Sequence, residues 1–446
     1  MPNPEGEDFL KIYPMIKRLV LIFSITILVG CNTHSEKEFI SVKGTRLILK
    51  GKPYRFVGFN MWYACYLGAT ADGQKRLLKE LDTLKAYGFD NLRILGGSEK
   101  SSFNRALPLT IENSPGAYDE NLLKGLDFVL SEMGKRKMYA VIYLNNYWQW
   151  SGGMAQYMNW SRRDNVTDSG SQGDFGKMMK YSAEFYSDSR ANGIFHHYIK
   201  MLVSRTNTYS KMIYRDDPAI MAWELANEPR PGPDGPEGEK NIDDFIKWNY
   251  ETATWIHSID PNHLVTTGSE GLAGSLNNAE YYIRSHNDSA IDFITFHLWA
   301  KNWGWFDSKK ADSTLPVSIK KAHDYINRHI SIAQRLGKPV TMEEFGLDRD
   351  FSETAPLTSV KARDEYFRTV LKIFTDNSEI DSPFAGVNVW AYGGFGKPAS
   401  WEKVMDNPGA FLGDPFGEPQ GLNSVYISDT STLNILKRAL KKIKSK

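Results

Sequence analysis

The chain has 446 residues, 41% of them apolar, and carries 54 Lys plus Arg against 53 Asp plus Glu. That length and composition exclude a disordered or fibrous protein and suit one large barrel-type domain or two ordinary ones, while the near-zero net charge gives no field to attract nucleic acid. The aromatic share is 13%, with 12 Trp and 22 Tyr, and it supplies flat apolar faces with polar edges, which suit sugars.

From Met15 the sequence reads MIKRLVLIFSITILVGC. Lys17 and Arg18 form a short basic region, and Leu19 to Val29 an apolar run too short to span a membrane comfortably. This is the plan of a secretory signal peptide. Its ending, Leu28-Val29-Gly30-Cys31, resembles a bacterial lipobox, after which cleavage would leave Cys31 as a lipidated first residue. The alternative is an ordinary signal peptide with an incidental Cys. Residues 1–14 are polar, so the natural start is expected at Met15. Cys31 and Cys65 are the only cysteines, so a lipidated Cys31 leaves one free thiol and no intramolecular disulfide. The expected organisation is a signal peptide over 1–31, a polar tether over 32–38 and a single domain over 39–446. The exported protein would be membrane-anchored in the periplasm or at the outer cell surface, and otherwise secreted.

Past the tether, short apolar runs alternate with amphipathic stretches. The runs are Tyr54 to Phe59, Asn91 to Leu95, Met138 to Leu144, Ile220 to Leu225, Leu264 to Thr267, Phe293 to His297, Pro339 to Met342 and Val387 to Trp390. Between them lie helical patterns such as Gln74 to Tyr87, Glu120 to Lys137 and Val360 to Thr375. Eight strands alternating with helices predict an α/β fold, a (β/α)8 TIM barrel. The competitor is an open doubly wound sheet, for which no phosphate-binding glycine loop is evident. Long loops after the third and fourth runs, including the turn-rich GPDGPEGEK at 232–240, would wall a substrate cleft.

In such a barrel the active site lies at the C-terminal strand ends. Those ends hold Trp62, Arg93, Asn145, Trp148, Asn227, Glu228, Glu270, His297, Trp299, Glu343, Glu344 and Trp390. Carboxylates, amides, a histidine, an arginine and aromatics at one rim read as a carbohydrate cleft. Retaining cleavage of a glycosidic bond needs a carboxylic acid and a carboxylate about 5–5.5 Å apart. Glu228 and Glu344, on strands that face each other across a small barrel, are the candidate pair. Pro229 would restrict the backbone of Glu228, and Arg93 would keep Glu344 ionised and lower its pKa.

Asn227-Glu228-Pro229 and Glu344-Phe345-Gly346 resemble the acid/base and nucleophile motifs of glycoside hydrolase family 5. DDPAIMAWELANEPR (216–230), GGMAQYMNW (152–160), KPVTMEEFG (338–346), VWAYGG (389–394) and GEPQGLNSVY (417–426) resemble its β-mannanase branch more narrowly. The resemblance implies Glu228 as acid/base, Glu344 as nucleophile, Arg93, Asn227 and His297 as supporting residues, and Trp390 as a stacking platform. Many family members have His-x-Tyr where this chain has His297-Leu298-Trp299. An indole N–H donates but cannot accept, so Trp299 takes either the tyrosine's place or that of a sugar platform. The implied activity is hydrolysis of internal β-1,4-mannosidic bonds in mannan, glucomannan or galactomannan. A β-1,4-glucanase, an exo-β-mannosidase and a non-catalytic glycan-binding lipoprotein are the alternatives.

Other residues have plainer readings. Glu224 shares strand parity with Glu228 but lies deeper, where a buried carboxylate needs a cation. Glu343 is read as a support for Glu344, and Glu270 as either a cleft residue or a solvated turn. Of Trp299, Trp303 and Trp305, two are expected to line subsites, and Trp62 and Trp148 to touch substrate or pack. No His/Cys/Asp cluster has metal-ligand spacing, so neither a metal nor a cofactor is expected. The basic tail 436–446 reads as a solvated amphipathic helix. Mannan is the expected partner of a monomer that meets the membrane only through its anchor.

Overall fold

The computed structural model describes residues 39–163, 175–378, 382–404 and 407–444. The expected signal peptide and tether, with Cys31, lie outside them. Eight strands run in parallel: β1 (Phe56–Asn60), β2 (Asn91–Leu95), β3 (Tyr139–Tyr143), β4 (Ile220–Glu224), β5 (Leu264–Thr266), β6 (Ile294–Leu298), β7 (Val340–Phe345) and β8 (Phe384–Val389). Their hydrogen-bonded order is β5-β4-β3-β2-β1-β8-β7-β6. The seam between β5 and β6 is bridged at its foot by Asp292 N–H to Val265 O at 2.9 Å and at its top by His297 N–H to Glu270 O at 3.2 Å. All eight predicted runs are strands of a nearly closed (β/α)8 barrel. The boundaries need correction at β7, which continues to Phe345, and at β8, which starts at Phe384 and stops before Trp390.

The strands are buried along their whole length apart from Tyr139 at the start of β3, as expected where helices cover one face of a parallel sheet and side chains fill the other. The covering helices are α1 (Ala71–Tyr87), α2 (Glu120–Lys135), α3 (Ser189–Val203), α4 (Ile242–Ile259), α5 (Ala279–Arg284), α6 (Ala311–Leu336), α7 (Lys361–Asn377) and α8 (Thr430–Lys444). Sequence sets their ends. Thr70 and Asp119 accept backbone N–H bonds at the starts of α1 and α2, and Gly88 closes α1 at φ 95°, conformations that these residue types favour. The tail helix α8 packs Leu433, Leu436 and Leu440 inward. No helix among the described residues is long and apolar enough to cross a membrane.

Sequence periodicity missed a three-stranded antiparallel sheet, Ser41–Lys43, Arg46–Leu49 and Lys52–Pro53. Ile40, Leu47 and Tyr54 pack there against the first residues of the barrel strands, including Phe56, Leu264 and Phe293. This sheet plugs the N-terminal mouth, so the opposite mouth is the open one.

One helix contact is held by glycine. The short helix Ala64–Gly68 crosses α2 so closely that a Cβ on Gly125 would lie 2.1 Å from Cys65 O, and one on Gly68 would lie 2.1 Å from Gly125 O. Gly125→Ala should therefore lower the denaturation midpoint by an amount equivalent to about 1–3 kcal/mol. Gly193→Ala, where a Cβ meets nothing within 4 Å on helix α3, should raise stability by roughly 0.5–1 kcal/mol. Equal effects in chemical denaturation would contradict the close crossing.

Candidate active site

The open mouth carries a cavity of about 720 Å³, lined among others by Trp148, Asn227, Glu228, Glu270, Trp299, Trp303, Glu344 and Trp390. Beneath it lies Arg93, on β2 and fully buried. Its Nε and Nη2 donate to Glu224 at 2.8 and 2.5 Å, and Nη2 also to Asn227 Oδ1 at 2.7 Å. Nη1 donates to Asn60 Oδ1 at 3.0 Å and to Glu344 Oε1 at 2.5 Å. Glu224 is therefore the deep partner of a barrel cation. Burial disfavours the Arg93 charge, but the carboxylates outweigh it and hold the guanidinium protonated.

Glu228 and Glu344 face each other from β4 and β7. An oxygen of each and a ring nitrogen of His297 all lie within 4.8 Å of one another. Glu228 Oε2 accepts from the Trp148 indole at 2.5 Å, and Oε1 is 2.7 Å from His297 Nδ1. Glu344 Oε2 accepts from the Trp299 indole at 3.1 Å and is 3.3 Å from the same imidazole nitrogen. Burial, reinforced by Arg93, pushes the His297 pKa down to about 3, so the ring is neutral. Because Nε2 is buried without a partner among the described residues, where an N–H would cost more than a lone pair, the hydrogen belongs on Nδ1, within reach of both carboxyls.

Burial raises both carboxyls above the usual carboxylate range. Arg230 opposes this at Glu228, while at Glu344 Arg93 opposes it and Glu228 adds to it. The expectation that Arg93 leaves Glu344 low is thus corrected, because desolvation outweighs one guanidinium. Two buried carboxyls this close do not both ionise readily and titrate as a pair. A guanidinium touches only Glu344, and the direct donors to Glu228 are neutral, so the proton kept longest belongs on Glu228.

Glu228 sits at φ 51°, left-handed backbone that a non-glycine residue adopts at a cost of roughly 1–2 kcal/mol. Its N–H to Gly268 O at 3.0 Å and the Asn227 N–H to Asn145 O at 2.9 Å hold it there. Pro229 does not account for this geometry, because a following proline favours extended backbone; the neighbouring strand ends hold it.

The other predicted residues divide. Trp148, Trp299, Trp303, Trp390, Asn227 and Glu270 line the cavity, while Arg93 and His297 stand behind it. Three residues nominated for substrate contact lie outside this cavity. Trp62 is 1% exposed, donates to Gly413 O and packs edge-on among Tyr63, Tyr66, Trp150 and Phe411. Asn145 is buried behind the mouth, where its side chain accepts from the Asn146 N–H. Trp305 faces an adjoining hollow of about 370 Å³ with Asp234, Asn277 and Arg328.

Sequence reasoning missed Arg230, two residues beyond Glu228, which pairs with Glu270 and lies 5.6 Å from the Trp148 ring centroid. A cation following the Asn-Glu-Pro turn was its only signal. It also missed Asn104 and Arg105 after β2 and the loop 415–423, which close one flank of the cavity. Glu228, His297 and Glu344 are the one group among the described residues with metal-like spacing. The guanidinium and indole hydrogens already aimed at those carboxylates meet the charge that a cation would otherwise meet.

A family model described as GH family 5 beta-mannosidase-like matches residues 37–446. The chain is 30% identical over 431 residues to a putative mannan endo-1,4-beta-mannosidase 4 of Arabidopsis thaliana, covering 93% of each chain. It is 31% identical to a solved glycoside hydrolase family 5 mannosidase from Rhizomucor miehei, covering 92% of this chain and 98% of that one with a TM-score of 0.82. A mutant of that enzyme in complex with mannosyl-fructose aligns with a TM-score of 0.81, at 32% identity over 91% of this chain and 97% of that one.

The Trp148 indole reports directly on Glu228. Its fluorescence should titrate with a midpoint above the ordinary glutamate value of about 4.3, because burial favours the neutral acid, and Glu228→Gln should abolish that step. A midpoint at or below the ordinary value would overturn the shared proton.

Proposed function

Because this chain belongs to the β-mannosidase-like group of glycoside hydrolase family 5, we propose that it cleaves β-1,4-mannosidic bonds of mannan-type polysaccharides with retention, through Glu228 and Glu344. The observation that carries this reading is the facing carboxyl pair, one oxygen of Glu228 lying within 4.8 Å of one oxygen of Glu344. That spacing suits direct attack, whereas inversion needs about 6.5–9.5 Å to admit a water between the groups.

In the first step the Glu344 carboxylate attacks the anomeric carbon, the glycosidic C–O bond breaks, and the Glu228 proton goes to the leaving oxygen. In the second, Glu228 takes a proton from water, whose oxygen attacks the anomeric carbon and releases Glu344. Each step leaves the pair with one proton fewer or one more, so Glu228 changes role without a second acid. Asn227, held by Arg93, borders the reacting sugar, and Trp390 offers it a stacking face. Trp299 takes the place of the family tyrosine as donor to Glu344.

An exo-acting β-mannosidase is the second reading, favoured by the flank of the cavity. The loop after β2 meets the loop 415–423 there, where a Cβ on Gly417 would lie 2.6 Å from the Arg105 Cβ, and the similar Rhizomucor enzyme is named a mannosidase. Reducing-end assays on linear mannan and product sizing from mannohexaose separate the two. Internal cutting yields mixed oligosaccharides from the outset, and exo action yields mannose alone. Activity on carboxymethylcellulose and none on mannan would reject both, and binding without turnover would indicate a glycan-binding protein.

For location, the Lys17-Arg18 pair, the apolar run and the Leu28–Cys31 ending support export and a lipid anchor on Cys31, followed by a 32–38 tether and a single domain over 39–446, which we take to act as a monomer. In a host with lipoprotein processing, Cys31→Ala should move the protein from the membrane fraction to the soluble one. An unchanged distribution rejects the anchor.

Two mutational outcomes follow from the assigned roles. Glu344→Ala should abolish turnover while mannan binding stays measurable, and the first product of the wild type should be the β-anomer by NMR. Trp299→Phe removes a donor to the ionised Glu344, which raises its pKa; the acid limb of kcat/KM should move to higher pH with a roughly tenfold or greater loss, the size of one hydrogen bond to a charged group. A limb moving to lower pH would contradict the donor role.

A further inference from the structure

Two adjacent glutamates on a regular strand point to opposite faces, yet both Glu343 and Glu344 reach Arg93. The ladder between β6 and β7 pairs Phe296 with Met342 and then His297 with Glu344, leaving Glu343 unpaired. The ladder to β8 shows the same irregularity, passing from Met342 to Phe345. This bulge turns both side chains toward the guanidinium, with Glu344 Oε1 2.5 Å from Nη1 and Glu343 Oε2 4.0 Å from Nε. Asn60 Nδ2 holds the bulge open at Glu343 O, 2.8 Å away. Bulges beside active sites commonly re-aim a side chain in this way.

Glu343 is 1% exposed, and neither of its carboxyl oxygens meets an N–H or O–H donor among the described residues. Arg93 has no hydrogen left for it, since all five serve Glu224, Asn227, Asn60 and Glu344. The titratable and charged groups around Glu343 are Glu224 on β4, Glu344 on β7, Arg93 on β2 and, on α5, the Tyr282 hydroxyl, which itself donates to Thr295 O. An ionised Glu343 would be a further buried anion on a guanidinium already matched by two, without a hydrogen bond of its own. That arrangement is far more costly than a neutral acid.

We propose that Glu343 is a neutral carboxylic acid that donates its hydrogen to Glu224 and so positions Arg93 toward Glu344. Burial, followed by the neighbouring Glu224, raises this carboxyl well above the usual range, in agreement with the geometry. A carboxylate accepts several hydrogen bonds. With one supplied by Glu343, Glu224 draws less on the guanidinium, and Nη1 stays with Glu344. Glu343 touches no reacting atom and is a positioning residue; its effect on turnover rests on the reading of Glu344 as nucleophile.

The infrared spectrum tests the proton without using activity. The difference between wild type and Glu343→Gln at neutral pH should contain one protonated-carboxyl band assigned to the lost acid, and its absence would overturn the proposal. In kinetics, Glu343→Gln keeps a neutral N–H donor and should leave the acid limb of kcat/KM in place. Loss of an ionised carboxylate would instead lower the pKa of Glu344 and move that limb to lower pH, which would also overturn it. Glu343→Leu removes the donor and should move the limb up by about one unit, tenfold in activity on the acid side. An unmoved limb in a folded Glu343→Leu protein would reject the positioning role. Should the leucine variant not fold, the spectrum and the glutamine variant decide the question. Failure of the nucleophile reading shows separately, as activity surviving Glu344→Ala, and leaves the infrared result intact.

Discussion

The open end of this barrel is organised around one buried guanidinium. Arg93 places its five N–H hydrogens on Glu224, Asn227, Asn60 and Glu344, and its Cζ lies 4.7 Å from the Tyr143 ring centroid. These partners belong to β1, β3, β4 and β7 or to the turns that follow them, so a single planar group ties together side chains from half the barrel. A buried charge is tolerated only where its hydrogens are all met, and removing one partner of such a network leaves an uncompensated charge that costs about 3–5 kcal/mol. Lysine, with three donors from one point, cannot span the same set. The carboxyl pair above inherits its geometry from this network.

The stretch Trp223–Pro229 shows how strand and turn cooperate in that geometry. Glu224 closes the ion pair below, while Asn227 and Glu228 leave the strand at a left-handed turn. The turn is tenable because Gly268 on the next strand end, at φ 75°, has no side chain. A Cβ there would lie 2.0 Å from Ala226 O and 2.2 Å from Glu224 Oε1. Backbone strain at Glu228 is therefore sustained by neighbouring strands and not by its own sequence, which is where strain at a functional residue is expected to be held.

The sequence made the barrel legible because its strands are buried along nearly their whole length and read as apolar runs. Strand ends then nominated Arg93, Asn227, Glu228, His297 and Glu344, since register carries each to the open mouth. The errors share a cause. Trp62 and Asn145 also follow strands, but a residue just past a strand end can turn back into the wall, and only the packing around Phe411 and Asn146 decides it. Glu343 was read as a support for Glu344, but the bulge that turns both toward Arg93 has no periodic signature in the sequence. Arg105 and the loop 415–423 are far apart in sequence and meet only through the barrel's closure. The N-terminal sheet is built from strands of two to four residues, too short for alternation to show.

The departure at Trp299 follows from the same packing logic. Gly346, after Glu344-Phe345, has no side chain, and a Cβ there would lie 2.7 Å from Trp390 O and 3.3 Å from the Trp299 ring. That gap lets the indole lie across the end of β7 and reach Glu344 Oε2. Every group that contacts the Glu344 carboxyl, Arg93, Trp299 and His297, is then a donor, and an indole in place of a phenol removes an oxygen that could have accepted a proton from the acid. Each of these donors favours the Glu344 anion, against the burial that raises its pKa. Glu228 also has an indole and the imidazole beside it, so the asymmetry of the pair before any substrate enters rests on the guanidinium of Arg93, which touches Glu344 alone.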